Sequence, residues 1–261
     1  MQSPEIIVIV ALVTAAIILA LAAFIAYTTY QYSKLKTSFD KEVLTAQLEI
    51  QEQTLFTISR EIHDNINGYL ILAKLNLNTT IPLLGDDTKC KVEDTVHLLD
   101  HSLEEIKSIS RMLNPEYVAF QGLPGMLKEY TEWIKKNQHY QVGFTVEGDQ
   151  YDIGENVELM LFRMLQETIN NILKHAQATT ISLSLIYTDS DLKCTISDDG
   201  IGFDVQEKLH QKHRFRGSGL RNILRRAKMI NAVCDITSGH KKGTTICITT
   251  AFSQKVTKVE K

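Results

Sequence analysis

The sequence predicts three structural parts in series. They are one helix long enough to cross a membrane, a helical hairpin that pairs into a dimeric four-helix bundle, and an α/β sandwich with a mostly antiparallel sheet. Three observations predict this. Residues 6–27 form a 22-residue apolar stretch interrupted only by Thr14. Apolar residues then recur at steps of three and four as far as Leu113, and beyond Pro115 short alternating strands separate amphipathic helices.

Composition bounds what such a chain can be. The 261 residues are 44% hydrophobic and carry 28 Lys+Arg against 31 Asp+Glu, a formal net charge of -3. Outside the one apolar stretch the balance is that of a soluble globular body, which excludes a polytopic membrane protein, a disordered chain and a fibre. The near-neutral charge argues against direct nucleic-acid binding, which normally needs a basic surplus. Cys90, Cys194, Cys234 and Cys247 are far apart with no paired spacing, so they read as free thiols.

The first element is the apolar stretch Ile6 to Tyr27. At about 1.5 Å per residue it spans roughly 33 Å, enough for the hydrocarbon core of a bilayer. It is longer than the apolar region of a signal peptide, and only Glu5 precedes it where a basic segment would be expected. Lys34, Lys36 and Lys41 follow it, which places the C-terminal body in the cytoplasm, with Tyr27, Tyr30 and Tyr32 at the inner headgroup level. The roughly five preceding residues are too few for a receptor domain.

The second element is a long helix from Leu35 to about Thr80, with Leu44, Leu48, Leu55, Ile58, Ile62, Ile66 and Leu70 at helical spacing. Pro82 and Gly85-Asp86-Asp87 break it. A second helix carries Val92, Val96, Leu99, Leu103, Ile106 and Leu113 and stops at Asn114-Pro115. One hairpin cannot bury both stripes, so pairing of two copies is the economical solution. Then come a helix over Leu123 to Asn137, a strand over Val142 to Glu147, a helix over Val157 to His175, and strands over Ile181 to Tyr187 and Leu192 to Ser197. A helix over Gly219 to Ile230 and strands over Val233 to Thr237 and Thr244 to Thr250 complete the sandwich.

Four clusters carry chemistry. In Ser59-Arg60-Glu61-Ile62-His63-Asp64-Asn65, Ile62 faces the seam, which leaves His63 on its flank; a neutral imidazole there can accept a phosphoryl group while Asp64 holds or takes its proton. In Leu165-Gln166-Glu167-Thr168-Ile169-Asn170-Asn171-Ile172-Leu173-Lys174-His175, the residues Glu167, Asn171, Lys174 and His175 share a face opposite Leu161, Leu165, Ile169 and Ile172. That polar face suits a magnesium-triphosphate, because a hard cation needs oxygen ligands and phosphates need positive donors. Ser197-Asp198-Asp199-Gly200-Ile201-Gly202-Phe203-Asp204 follows a strand, and Arg216-Gly217-Ser218-Gly219-Leu220 opens a helix. Their glycines allow close backbone approach to a ligand, and a glycine loop before a helix N-terminus is a natural phosphate site.

In that order, the clusters closely resemble the sensor histidine kinases that partner NarL/LuxR-type response regulators, over residues 55 to 250. The resemblance implies a sandwich of the GHKL (Bergerat) ATP-binding type. It makes His63 the phosphorylated residue and Asp64 its general base. Asn171 would coordinate Mg2+ beside Glu167, Lys174 and His175. Asp198 would read the adenine amino group, Gly200 and Gly202 would form the G1 box, Gly217 and Gly219 the G2 box, and about Asp204 to Arg216 the lid. Thr244 and Thr245 resemble the last nucleotide-proximal strand. The implied organisation is a short external tail at 1–5, a transmembrane helix at 6–27, a helical linker at 28–54, a dimerisation and phosphotransfer domain at 55–115, a catalytic ATP-binding domain at 116–252, and a polar tail at 253–261. The implied protein is a homodimeric, single-pass protein histidine kinase of a bacterial inner membrane. It uses ATP and Mg2+ and passes the phosphoryl group to an aspartate of a separate response regulator.

Two alternatives remain. The Glu167-to-Asn171 spacing also resembles the gyrase and Hsp90 ATPases, where the glutamate activates water, and a non-catalytic nucleotide-binding dimeric scaffold would need only the pocket. His97-Leu98-Leu99-Asp100-His101 mimics a zinc-protease motif but offers no third ligand, and Trp133 reads as core. One departure is notable: kinases of this family that also dephosphorylate their regulator carry glutamine where this chain has Gly68, so weak phosphatase activity is expected.

Overall fold

The computed structural model describes residues 4–138, 140–210 and 218–251, and the chain falls into two compact units, residues 1–55 and 56–261. In the first unit, helix α1 (Pro4–Glu61) runs through the apolar stretch without a break. Leu12, Ile18, Leu19 and Phe24 are exposed along it. By length and composition this is a helix able to cross a membrane.

In the second unit the end of α1 passes into a π turn, Ile62–Ile66, in which the Asn67 N–H donates to Ile62 O. Helix α2 (Asn67–Thr80) follows, then a tight turn at Ile81–Leu83 containing Pro82, and helix α3 (Asp86–Leu113). The predicted single helix to Thr80 is therefore interrupted by one wide turn, and it falls on His63. Packing of α2 and the end of α1 on α3 buries Val96 and Leu103 together with the polar Ser59, Asn67 and Ser110. Ser59 Oγ donates to Ser110 O and Ser110 Oγ donates to Ser59 O, each at 2.9 Å. Ile58, Ile66, Ile71, Leu72, Leu75 and Leu98 stay exposed on the same hairpin, so one chain leaves much of its apolar surface wet.

The step from hairpin to sandwich has no loose linker. Asn114 Oδ1 accepts from the Glu116 N–H at 2.9 Å and caps helix α4 (Pro115–Gln138), where proline at the first position wastes no hydrogen bond. A short helical stretch over 115–121 comes first, and a break at Gly122 (φ 69) separates it from the helix predicted from Leu123, whose N–H donates to Glu158 Oε2 at 3.0 Å in a second cap. Met112, at the end of α3, already belongs to the sandwich core.

Strands β1 (Gln141–Glu147), β2 (Thr180–Tyr187), β3 (Asp191–Asp198), β4 (Val233–Ser238) and β5 (Thr244–Ala251) form one sheet in the order β1-β2-β3-β5-β4. Only β1 and β2 are parallel. Alternation along β2 and β3 buries Ile181, Leu183, Leu185, Leu192, Cys194 and Ile196. Helix α5 (Glu155–Asn171) covers that face with Leu161, Phe162, Leu165 and Ile169. Polar Ser182, Ser184, Thr195 and Ser197 point the other way, the pattern of a sheet with one wet face. Helices α6 (Val205–His210) and α7 (Ser218–Met229) complete the body. The short α6 lies in the segment read as a plain polar lid. The rest of that lid, with Gly217 and the polar tail, lies outside the described residues.

Candidate active site

Helix α5 ends in a second π turn, Ile172–Ala176, closed by Gln177 in the left-handed conformation. The amphipathic reading of this helix holds in detail: Leu161, Leu165 and Ile169 are fully buried and Ile172 is 4% exposed, while Lys174 and His175 lie in solvent. Half-buried Glu167 and Asn171 point at the start of α7. A side chain on Gly219 would collide with Glu167 Oε1 and press on Asn171 Nδ2. Glycine there lets Glu167 and Asn171 come up against the first turn of α7, which sets two polar side chains beside a helix N-terminus.

The wide turn after Asn171 hands its last carbonyl to the glycine loop, since the Ile201 N–H donates to Ala176 O at 2.8 Å. Gly200 N–H donates to Asp198 Oδ1 at 2.8 Å, the Gly243 N–H to Gly200 O at 2.9 Å, and the Lys241 N–H to Ile201 O at 2.7 Å. The β4–β5 turn therefore closes over residues 200–202. Gly202 adopts φ 62, and a side chain on it would strike Gly239 O. At Gly200 the obstacle is Ala176 O. The chain's own packing is enough to require glycine at both positions.

The adjacent acids of this loop have different tasks. Asp199 accepts from the Thr179 Oγ1 at 2.7 Å and from the Thr179 and Thr180 N–H groups at 2.7 and 2.9 Å, and these bonds hold its carboxyl far below the usual range. It is a clamp at the start of β2. Asp198 is 7% exposed, and its Oδ2 is buried with no hydrogen-bond partner among the described residues. Burial raises its pKa, against the Gly200 and Thr244 N–H bonds that lower it. An unsatisfied buried carboxylate oxygen is costly, and it matches a ligand N–H. Asn171 Nδ2 is a second buried polar atom without a partner among these residues. An adenine amino group and a phosphate oxygen fit these two atoms respectively, and the remaining amide oxygen of Asn171 is of the type that magnesium accepts.

Register separates the two threonines. Thr244 pairs across from Asp198 and shares its helix-covered face, where Ser238 Oγ lies 2.9 Å from Thr244 Oγ1. Thr245 pairs with Ser197 on the opposite, wet face, with their hydroxyls 2.8 Å apart. The expected nucleotide-side contact at Thr245 is therefore not brought to the site; Thr244 takes that place. Ser238, which also accepts from the Phe203 N–H at 2.9 Å, had no signal in the sequence beyond a strand end.

The histidine sits on its own. His63 and Asp64 have side chains 73% and 60% exposed, and His63 Nδ1 lies 3.1 Å from Asp64 Oδ1. A ring whose Nδ1–H is held by a carboxylate presents Nε2 as the free lone pair. The other histidines singled out are ordinary helix-surface groups. His97 is exposed, and His101 Nδ1 lies 3.7 Å from Glu105 Oε1. Trp133 packs half-buried against the core, its ring 6.1 Å from that of Tyr130.

Fold and site together define an ATP-binding sandwich next to a helix-borne histidine. Residues 156–254 match the family described as histidine kinase-, DNA gyrase B-, and HSP90-like ATPase. Along most of its length the chain is similar to three curated proteins. These are the oxygen sensor histidine kinase NreB of Staphylococcus carnosus (24% identical, covering 84% of this chain and 62% of NreB), an uncharacterized sensor-like histidine kinase of Chloroflexus aurantiacus (28%, 80% and 36%), and the sensor protein VraS of Staphylococcus saprophyticus (26%, 72% and 53%). The chain is thus similar to sensor histidine kinases, and its residues 156–254 match an ATPase domain described for histidine kinases, gyrase B and HSP90. It spans between about a third and two thirds of the length of those relatives.

Proposed function

We propose that this chain is a membrane-anchored, homodimeric histidine kinase of a two-component system. The observation that carries the reading is His63 itself: exposed, with Nδ1 beside Asp64 Oδ1 and Nε2 open to an incoming domain. ATP would lie with its adenine on Asp198 and its phosphates between Asn171, Glu167, Lys174, His175 and the start of α7 at Gly219. Asn171 would hold Mg2+, which when bound supplies positive charge to the phosphate oxygens.

His63 Nε2 attacks the γ-phosphorus, and the bond to the bridging oxygen breaks with its electron pair leaving on ADP. The Nδ1 proton passes to Asp64, so that a neutral phosphoimidazole remains. The phosphoryl group then moves to an aspartate of a response regulator, of the NarL/LuxR type. Exposed Ile58, Ile66, Leu72 and Leu75 support pairing of two hairpins into a four-helix bundle. The basic residues after the apolar part of α1 support a single crossing of a bacterial inner membrane with the body in the cytoplasm.

The test is to incubate the protein with γ-labelled ATP and magnesium. Acid-labile, base-stable label on protein is the expected result. Released phosphate without label would favour the ATPase reading, and neither product would favour a scaffold.

A further inference from the structure

Arg163 is 4% exposed and lies on α5, where residues 163, 167 and 171 share one stripe at steps of four. The far end of that stripe, Glu167 and Asn171, faces the start of α7. Its near end grips another helix: Arg163 Nη1 donates to Met112 O at 2.7 Å and Nη2 to Leu113 O at 2.9 Å, with Gln166 Oε1 3.1 Å from Nη1. Those are the last carbonyls of α3, which have no partner within a helix, and a cation there also meets the negative end of the helix dipole.

Helix α3 is itself tied to the phosphoacceptor helix. Ser110, two residues before Met112, exchanges hydrogen bonds with Ser59, and Ser59 lies one turn before His63. Hydrogen bonds therefore tie Arg163 to the end of α3, and the serine pair ties that helix to the turn that carries His63, while Glu167 and Asn171 lie one and two turns along α5 from Arg163. A buried guanidinium is costly to strand, so sliding α5 along α3 is resisted for as long as these bonds are the cation's partners.

We propose that Arg163 is a positioning residue for phosphoryl transfer. It sets the angle between the nucleotide-carrying helix and the helix pair that carries His63, without touching nucleotide. The inference rests on the kinase reading above. It is specific because a residue that only stabilises the sandwich would alter nucleotide affinity together with rate, whereas a positioning residue alters the rate at saturating ATP alone.

The experiment uses the full chain in lipid nanodiscs, with Arg163→Met, Arg163→Lys and unmodified protein. It measures initial labelling of His63 across ATP concentrations and the binding of a fluorescent ATP analogue. For Arg163→Met the maximal rate should fall by at least about tenfold, because a displacement of about 1 Å can cost about 100-fold, while KM and analogue affinity stay within about twofold. Arg163→Lys, which reaches one carbonyl at a time, should recover part of the rate. Where Arg163→Met loses its cooperative thermal transition, Arg163→Lys decides, with a reduced maximal rate at unchanged affinity expected. An unchanged maximal rate in the deciding variant, or a fall matched by lost analogue affinity, overturns the proposal while leaving the kinase reading intact. Absence of label on unmodified protein overturns both.

Discussion

The nucleotide cleft and the histidine turn contain similar chemistry and are built in opposite ways. In the cleft, Gly200, Gly202 and Gly243 are locked by backbone hydrogen bonds and by close contacts that leave no room for a Cβ, and Asp198 Oδ2 and Asn171 Nδ2 are buried without partners among the described residues. At the turn, His63 and Asp64 stand in solvent with one short contact between them. Nothing lies within 4 Å of a Cβ placed on the neighbouring Gly68. The turn is open to solvent on His63 and Asp64, which suits the acceptor role proposed for it. The two regions nevertheless share one device, because each functional helix carries a π turn at its motif. Such wide turns are rare and concentrate at functional sites.

The largest expected effect comes from removing the acceptor. His63→Gln should abolish acid-labile label while a fluorescent ATP analogue binds as before, because the turn takes no part in the locked cleft. Residual label of the same stability would place the acceptor elsewhere, and lost analogue binding would show that the two regions are not independent.

Next is Asp198→Asn, which should lower nucleotide affinity by at least about 100-fold, since a buried acceptor becomes a donor facing a donor. The same change should raise the thermal stability of the nucleotide-free protein near neutral pH. Burial raises the Asp198 pKa, so between the ordinary and the raised value the folded state binds more protons than the unfolded state. Stability from this group therefore falls as pH rises through that window. Asparagine removes that dependence, so its advantage should shrink as pH is lowered. A variant that is less stable at every pH would mean that the carboxylate is structural, as Asp199 is.

Third, Asp64→Asn should slow labelling by roughly 100-fold, the contribution of a positioned base, and leave analogue binding unchanged. A rate within about threefold of the original would reduce Asp64 to a helix-surface neighbour of His63.

The difference between the regions also explains what was legible in the sequence. Strands, helices and the glycine boxes were readable because each follows from alternation, amphipathic spacing or turn chemistry within a few residues. The π turns were not. Over five residues, a period of 3.6 and a wider turn differ by less than one residue, so Ile62, Ile66 and Leu70 still look like one stripe. Asp198 and Asp199 could not be told apart by residue type, because the distinction lies in Thr179 and Thr180, about twenty positions away. Arg163 carried no signal in the sequence, because its partners Met112 and Leu113 lie about fifty positions away. The short helical stretch over 115–121 was not legible because Asn114-Pro115, a stop signal for α3, is at the same time its cap and first residue.

The smallest effect tests the contrast through glycine. In the cleft, Gly202→Ala requires φ 62 of a residue with a Cβ and drives that Cβ into Gly239 O, so it should cost about 1–2 kcal/mol for the backbone conformation alone. At the turn, Gly68 sits in the first turn of α2 with open space around it. Gly68→Ala should therefore stabilise the helix by about 0.5–1 kcal/mol, raising the melting temperature by roughly 2–4 °C. If the glycine were there only as filler, the labelling rate of His63 would stay within about twofold. If the wide turn next to it has to open or shift when the ATP-binding part arrives, the stiffer helix would gain stability and lose rate. The second outcome is expected, by about two- to fivefold, because glycine in a continuous helix has a known cost and no contact here offsets it. Equal rates would confine the role of the π turn to presenting His63, and a loss of stability would show that Gly68 packs against something that one chain does not contain.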